Sequence, residues 1–119
     1  MTTAVERMYK KAEVRPVGIA ELGATYYALD YMTIDDKLYP VFNDTKQLSL
    51  IKLLFPRCLE FLNYEDDDKK IKYKVRTNLG AYAHAKSDDF AELIAELILD
   101  LWQDLNIIEL MQIRTILND

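Results

Sequence analysis

The sequence is poor in the residues that most catalytic and metal sites depend on: it has one cysteine, one histidine and three glycines. A single cysteine, Cys58, excludes an internal disulfide and agrees with a reducing compartment. With His84 as the sole histidine, any His/Cys zinc set falls short of ligands, and the carboxylates of residues 88–104 lack the Glu-x-x-His pairs of di-iron bundles. The glycines stand at 18, 23 and 80, and none precedes a Lys-Ser or Lys-Thr pair, so there is no phosphate-binding loop. Neither Ser49 nor Ser87 lies in a nucleophile elbow. These scarcities point away from an enzyme, and no catalytic residue, metal or cofactor is expected. His84, in "AYAHAK", is read as a loop histidine without a chemical role in preference to a lone acid or base. Cys58 is read as a small buried hydrophobe.

Uncharged stretches are too short to span a bilayer, and MTTAVERMYKK carries no apolar region followed by a small-residue cleavage site, from which a cytoplasmic location and no membrane association are expected. No repeat or low-complexity tract is present.

What the chain does have is a globular composition. Of its 119 residues half are apolar and 29% are charged, which predicts a single globular domain over 1–119 with a real core. A formal charge of −5 argues against general adhesion to nucleic acid or to anionic membrane, while leaving room for a local basic patch.

Thr3 and Glu6 have capping-box spacing and predict a short helix to about Lys11. Residues 19–42 admit two readings: a helical stripe through Ile19, Leu22, Tyr26 and Leu29, or a hairpin turning at Asp35-Asp36, which is preferred because "TYYALDYMTI" suits a pleated surface. On the hairpin reading Pro40 belongs on an edge strand or at a bulge. Asp44 to Gln47 opens a helix read over 45–63, one long helix bent at Pro56 or two continuing one face. Its apolar side holds Leu48, Ile51, Leu54, Phe55, Cys58, Leu59 and Leu62, with Lys46 on the polar side. Ile71, Tyr73 and Val75 alternate with Lys72, Lys74 and Arg76, the period of a strand over 70–77 with one wet face. Two further helices are predicted at 88–105 and 107–117, divided by Asn106, which has capping-box spacing to Glu109. Together these give an α+β fold, helix-dominated, in which one small antiparallel sheet from 26–42 and 70–77 packs against about three to four helices.

Three surfaces are candidates for function. Lys70, Lys72, Lys74 and Arg76 form a basic strip. Glu92, Glu96, Asp100 and Asp104 form an acidic one on a helix with no lysine or arginine between Asp88 and Ile113, where acids four apart repel. That strip is either a solvated face or a partner for cations. Trp102, Ile107, Met111, Ile113 and Ile116 form a candidate apolar interaction surface, since the last helix is apolar on more than one narrow face.

The leading expectation is a non-catalytic protein-protein interaction or adaptor protein, a homodimer that also takes another protein partner. One alternative is nucleic-acid binding by the 70–76 strand. The other is a small enzyme or ligand carrier with a pocket lined by the tyrosines clustered at 26, 27, 31 and 39. Against nucleic acid stands Tyr73, which falls on the face opposite Lys72 and Lys74 and cannot stack on a base that they hold. No binding tighter than about 100 µM is expected near physiological salt.

Overall fold

Thr3 lies in extended backbone and its hydroxyl accepts the Glu6 N–H at 3.1 Å, starting α1 (Ala4–Lys11) where the capping spacing predicts it. The computed structural model describes residues 2–18, 30–55, 58–66, 71–77 and 82–119. Residues 19–29, with the helical stripe and the tyrosines at 26 and 27, lie outside the described residues, as does Lys70.

α1 ends in a Schellman arrangement: the Glu13 N–H donates to the Lys10 carbonyl and the Val14 N–H to that of Tyr9, both at 3.1 Å. Glu13 holds the left-handed position with φ 56°, where glycine is usual. Arg114 fixes this corner, its Nε donating to the Ala12 carbonyl at 2.7 Å and its Nη2 lying 3.3 Å from the Glu13 carboxylate.

The hairpin reading holds for its described part. β1 (Tyr31–Ile34) and β2 (Lys37–Pro40) pair antiparallel, joined by Asp35 and Asp36 with φ 51° and 64°. Positive φ at both central residues is the type I′ turn, whose twist matches that of the flanking strands. Pro40 lies in a sheet of two strands, where a missing N–H disrupts no central ladder.

Two predictions fail here. The helix read over 45–63 is α2 (Asp44–Leu54), capped one residue earlier than expected by Asn43, whose side chain accepts the Lys46 N–H at 2.9 Å. It ends at Leu54, with Phe55 as its C-cap still in the right-handed region and its N–H on the Ile51 carbonyl, one residue before Pro56 in the sequence. Cys58–Asp66 is a strand, β3, and not the continuation of a helical face. Because the apolar side read over 45–63 includes the strand residues Cys58, Leu59 and Leu62, its phase is wrong for the true helix: Lys46, Gln47, Leu50 and Leu54 are buried and Leu48 is 53% exposed. Lys46 tolerates burial because its ammonium donates to the Ile116 and Leu117 carbonyls at 3.1 and 3.4 Å, where a helix end carries partial negative charge. Burial nevertheless pushes its pKa down.

The single expected sheet is two. β3 pairs with β4 (Ile71–Thr77), which pairs with β5 (Tyr82–Ala85), all antiparallel and separate from the hairpin. The period-two reading of 71–76 is right about β4, whose Val75 is fully buried.

α3 (Phe90–Leu101) is capped by Asp89 and continues as a 3₁₀ turn over Trp102–Asp104, so the predicted helix to Leu105 loses its regular form four residues early. Asn106 and Glu109 form the predicted reciprocal capping box at the start of α4 (Ile107–Asn118). α3 is the centre of the core. Ile94, Leu97 and Ile98 are fully buried, as are Met8 of α1, Leu50 of α2, Val75 and Ala83 of the sheet, and Ile113 and Leu117 of α4. Tyr9 stands edge-on to Tyr39 and Phe42, with ring centroids 6.0 and 6.3 Å apart, and donates its hydroxyl to the Pro40 carbonyl at 2.8 Å, tying α1 to the hairpin. Burial raises the Tyr9 phenol well above its ordinary pKa. The fold is α+β and helix-dominated, with four helices and two small antiparallel sheets among the described residues. No helix of the described residues is long and apolar enough to cross a membrane.

Candidate functional site

The acidic face of α3 is bonded to backbone amides. Glu92 accepts the N–H of Ala4 at 2.9 Å through Oε2 and that of Val5 at 3.0 Å through Oε1. The first amides of a helix have no intrahelical acceptor and carry the positive end of its dipole. With the Thr3 hydroxyl on Glu6, three of the four such donors of α1 are satisfied, two of them by a side chain 87 to 88 positions along the chain.

One turn on, Glu96 Oε2 accepts from the N–H of Lys86 at 2.7 Å and of Ser87 at 3.2 Å, and Asp100 Oδ2 accepts from the N–H of His84 at 2.8 Å. His84 stands opposite Lys74 in the β4–β5 ladder, with Val75↔Ala83 and Tyr73↔Ala85 on either side. Its N–H, bonded to Asp100, points away from β4 along the outer edge of the sheet, and the N–H of Lys86, two residues on and bonded to Glu96, points the same way. Carboxylates four residues apart on a helix rise about 6 Å, and alternate strand residues about 6.8 Å, so the two rows match. An edge strand's open amides invite pairing with another chain, and α3 closes this edge with two carboxylates. Asp104, at the end of the strip, is exposed in the 3₁₀ turn.

His84 Nδ1 lies 3.5 Å from Asp100 Oδ2, and beside it Arg7, Ala85, Lys86 and Glu96 line an open recess of about 180 Å³. Its lining contains no tyrosine. Both carboxylates that approach His84 already hold backbone amides. Among the described residues no group of three or more metal-ligating side chains comes together.

The basic strip is divided by what the neighbouring strand supplies. The Lys74 ammonium sits 4.0 Å from the centroid of the Tyr82 ring, and Arg76 stands opposite Tyr82 in the ladder. Sequence reasoning considered Tyr73 and missed Tyr82, whose strand "AYAHA" is too short and alanine-rich to announce itself.

The apolar candidates separate most clearly. Ile113 is fully buried and belongs to the core, not to an exposed surface. Trp102 and Ile116 are half-buried, and Lys11 lies over the Trp102 ring at 5.9 Å. Ile107 and Met111 are 72% and 60% exposed, and Ile108, which sequence reasoning had not singled out, is 65% exposed. Positions 107, 108 and 111 are adjacent on a helix surface. With the neighbouring Gln112 and Thr115 they make an uncharged patch on the outer face of α4, bordered by Arg114. No family model matches the chain, and comparison with curated proteins and with solved structures finds no match.

Proposed function

We propose that the chain is a non-catalytic interaction protein that self-associates through the outer face of α4 and acts in the reducing cytoplasm that its single Cys58 suits. The observation that carries this reading is the exposure of Ile107, Ile108 and Met111 on one side of a helix whose other side, Ile113 and Leu117, is fully buried. A second copy is the favoured occupant because Ile107, Ile108, Met111, Gln112 and Thr115 carry no charge and the bordering Arg114 is held by the Ala12 carbonyl and the Glu13 carboxylate. Two copies of a chain with net charge −5 meet there without bringing like charges together.

Complete burial of one such side chain is worth about 1.5–3 kcal/mol. At roughly two-thirds exposure each residue offers about 1–2 kcal/mol, and six residues across a two-fold contact offer about 6–12. Association costs about 4–15 kcal/mol before any net affinity remains. A net of about 5–7 kcal/mol, a Kd on the order of tens to hundreds of micromolar, is left only when the gain lies near the top of its range and the cost near the bottom, so a weak dimer is the most that these three residues support.

Sedimentation equilibrium over about 10 µM to 1 mM tests this. The wild type should pass from monomer to dimer, and Ile108→Glu or Met111→Glu should hold it monomeric with unchanged circular dichroism. A wild-type chain that is monomeric at 1 mM, or an Ile108→Glu variant that dimerises normally, removes self-association by this face. Binding to neutral phospholipid vesicles instead would make the occupant a lipid surface.

A further inference from the structure

We propose that the outer face of β4 and β5 binds single-stranded nucleic acid, with Tyr82 as the base platform and Lys74, Lys86 and Arg7 as phosphate partners. Proteins that hold single strands without strong sequence preference pair a cationic track with an aromatic ring, because every base has a π-face and every nucleotide a phosphate. The sequence shows the cations but places its nearest aromatic, Tyr73, on the wrong face.

The fold supplies the ring from the next strand. Antiparallel partners standing directly opposite share a face of the sheet, so the pairs Arg76↔Tyr82 and Lys74↔His84 put these positions on one side, away from buried Val75 and Ala83. Tyr82 is 39% exposed there, a large aromatic at the surface with the Lys74 ammonium over its ring, 4.0 Å from the centroid, so that a base takes this face as the ammonium moves to the phosphate. Lys86 has the same strand parity as Tyr82 and His84, and with Arg7 it rims the recess that His84 enters. From Tyr82 to Lys86 the track runs about 14 Å, enough for two or three nucleotides.

The acids beside this track, Glu96 and Asp100, are turned to the amides of residues 84, 86 and 87. Their charge still weakens long-range attraction, as does the net charge of −5. The interaction is accordingly weak and salt-sensitive. Three phosphate contacts on a single strand give a log–log salt slope of about −2. A Kd of about 10 µM at 50 mM salt then becomes about 100 µM at 150 mM, the weak end of non-specific affinity.

The test is fluorescence anisotropy with labelled twelve-residue oligo(dT) and oligo(U), using the full chain. The wild type should bind with that slope, and Tyr82→Leu should weaken binding about tenfold, within the range for loss of one stacked base. Tyr82→Phe should restore it, which separates lost stacking from lost folding. Lys74→Ala or Lys86→Ala should each reduce the slope by about 0.7. Ile108→Glu should bind as the wild type does, so that failure of self-association is distinguishable from failure here. No binding at 1 mM and 50 mM salt overturns the proposal. So does wild-type affinity in Tyr82→Leu, and so does equal affinity for polyglutamate of matched charge, which would make the surface a site for acidic protein.

Discussion

Replacing Glu92 by alanine separates two meanings of the acidic face of α3 by the sign of the effect. If Glu92, Glu96, Asp100 and Asp104 were only a solvated face, the change would relieve i,i+4 repulsion and stabilise the fold by a few tenths of a kcal/mol. The structure predicts the opposite. Two bonds, at 2.9 and 3.0 Å, join the carboxylate to the Ala4 and Val5 amides, and each hydrogen bond to a charged group is worth about 1.5–3 kcal/mol. The helix dipole adds about 0.3–1 kcal/mol. Because one side chain makes both bonds and water reaches this partly exposed end once it is removed, the terms do not sum, and a loss of about 2–3 kcal/mol is expected for Glu92→Ala. Glu92→Gln, which keeps one acceptor oxygen, should lose about 2 kcal/mol, and Asp104→Asn, on the same face, should stay within about 0.5 kcal/mol. For a chain of 119 residues, 1 kcal/mol corresponds to about 4 °C, so Glu92→Ala should lower Tm by about 8–12 °C. Urea unfolding followed by circular dichroism, with the m-value unchanged, gives the free energy. Faster amide exchange at Ala4 and Val5 locates the damage. A Glu92→Ala variant as stable as Asp104→Asn, or more stable than the wild type, would refute the reasoning.

Asp36 occupies the second positive-φ position of the β1–β2 turn, at 64°, and Asp36→Gly should stabilise the chain by up to about 1 kcal/mol in thermal unfolding while leaving the Asp35–Lys10 ion pair intact. A fall in Tm would show that the aspartate makes a compensating contact. Tyr9 governs the alkaline limit. Its folded pKa is raised above the unfolded value of about 10, so its contribution is complete below that pH. Above it the unfolded chain releases the proton first, and stability is lost at up to about 1.4 kcal/mol per pH unit. Lys10, also raised, acts in the same direction, and Lys46, lowered by burial, acts in the opposite one. Tyr9→Phe should cost about 0.5–1.5 kcal/mol near pH 7, through the bond to Pro40, and should flatten the decline between about pH 9 and 11. An unchanged alkaline slope in that variant would assign the decline to other groups.

The sequence by itself determined what is settled within a few residues. Thr3 with Glu6 and Asn106 with Glu109 start their helices as predicted, because a cap joins groups three positions apart. Asp35-Asp36 turns the hairpin because short polar side chains tolerate the left-handed region, and the alternation over 71–76 marks β4 because a strand repeats every two residues. Tertiary structure decided whatever depends on distant partners. It made 58–66 a strand by giving it β4 to pair with, where an apolar pattern shared by helix and strand had suggested the former. It buried Lys46 because two carbonyls some seventy residues away were there to receive the ammonium. It brought Tyr82 beside Lys74 through a ladder register that no local pattern encodes. It divided the apolar residues of α4 into a buried and an exposed side. Above all, it turned a run of acids without nearby cations into acceptors for the amides of α1 and β5. Missing lysines were visible in the sequence. The donors in their place are backbone N–H groups, which every residue but proline carries, so only the fold could say which of them the carboxylates meet.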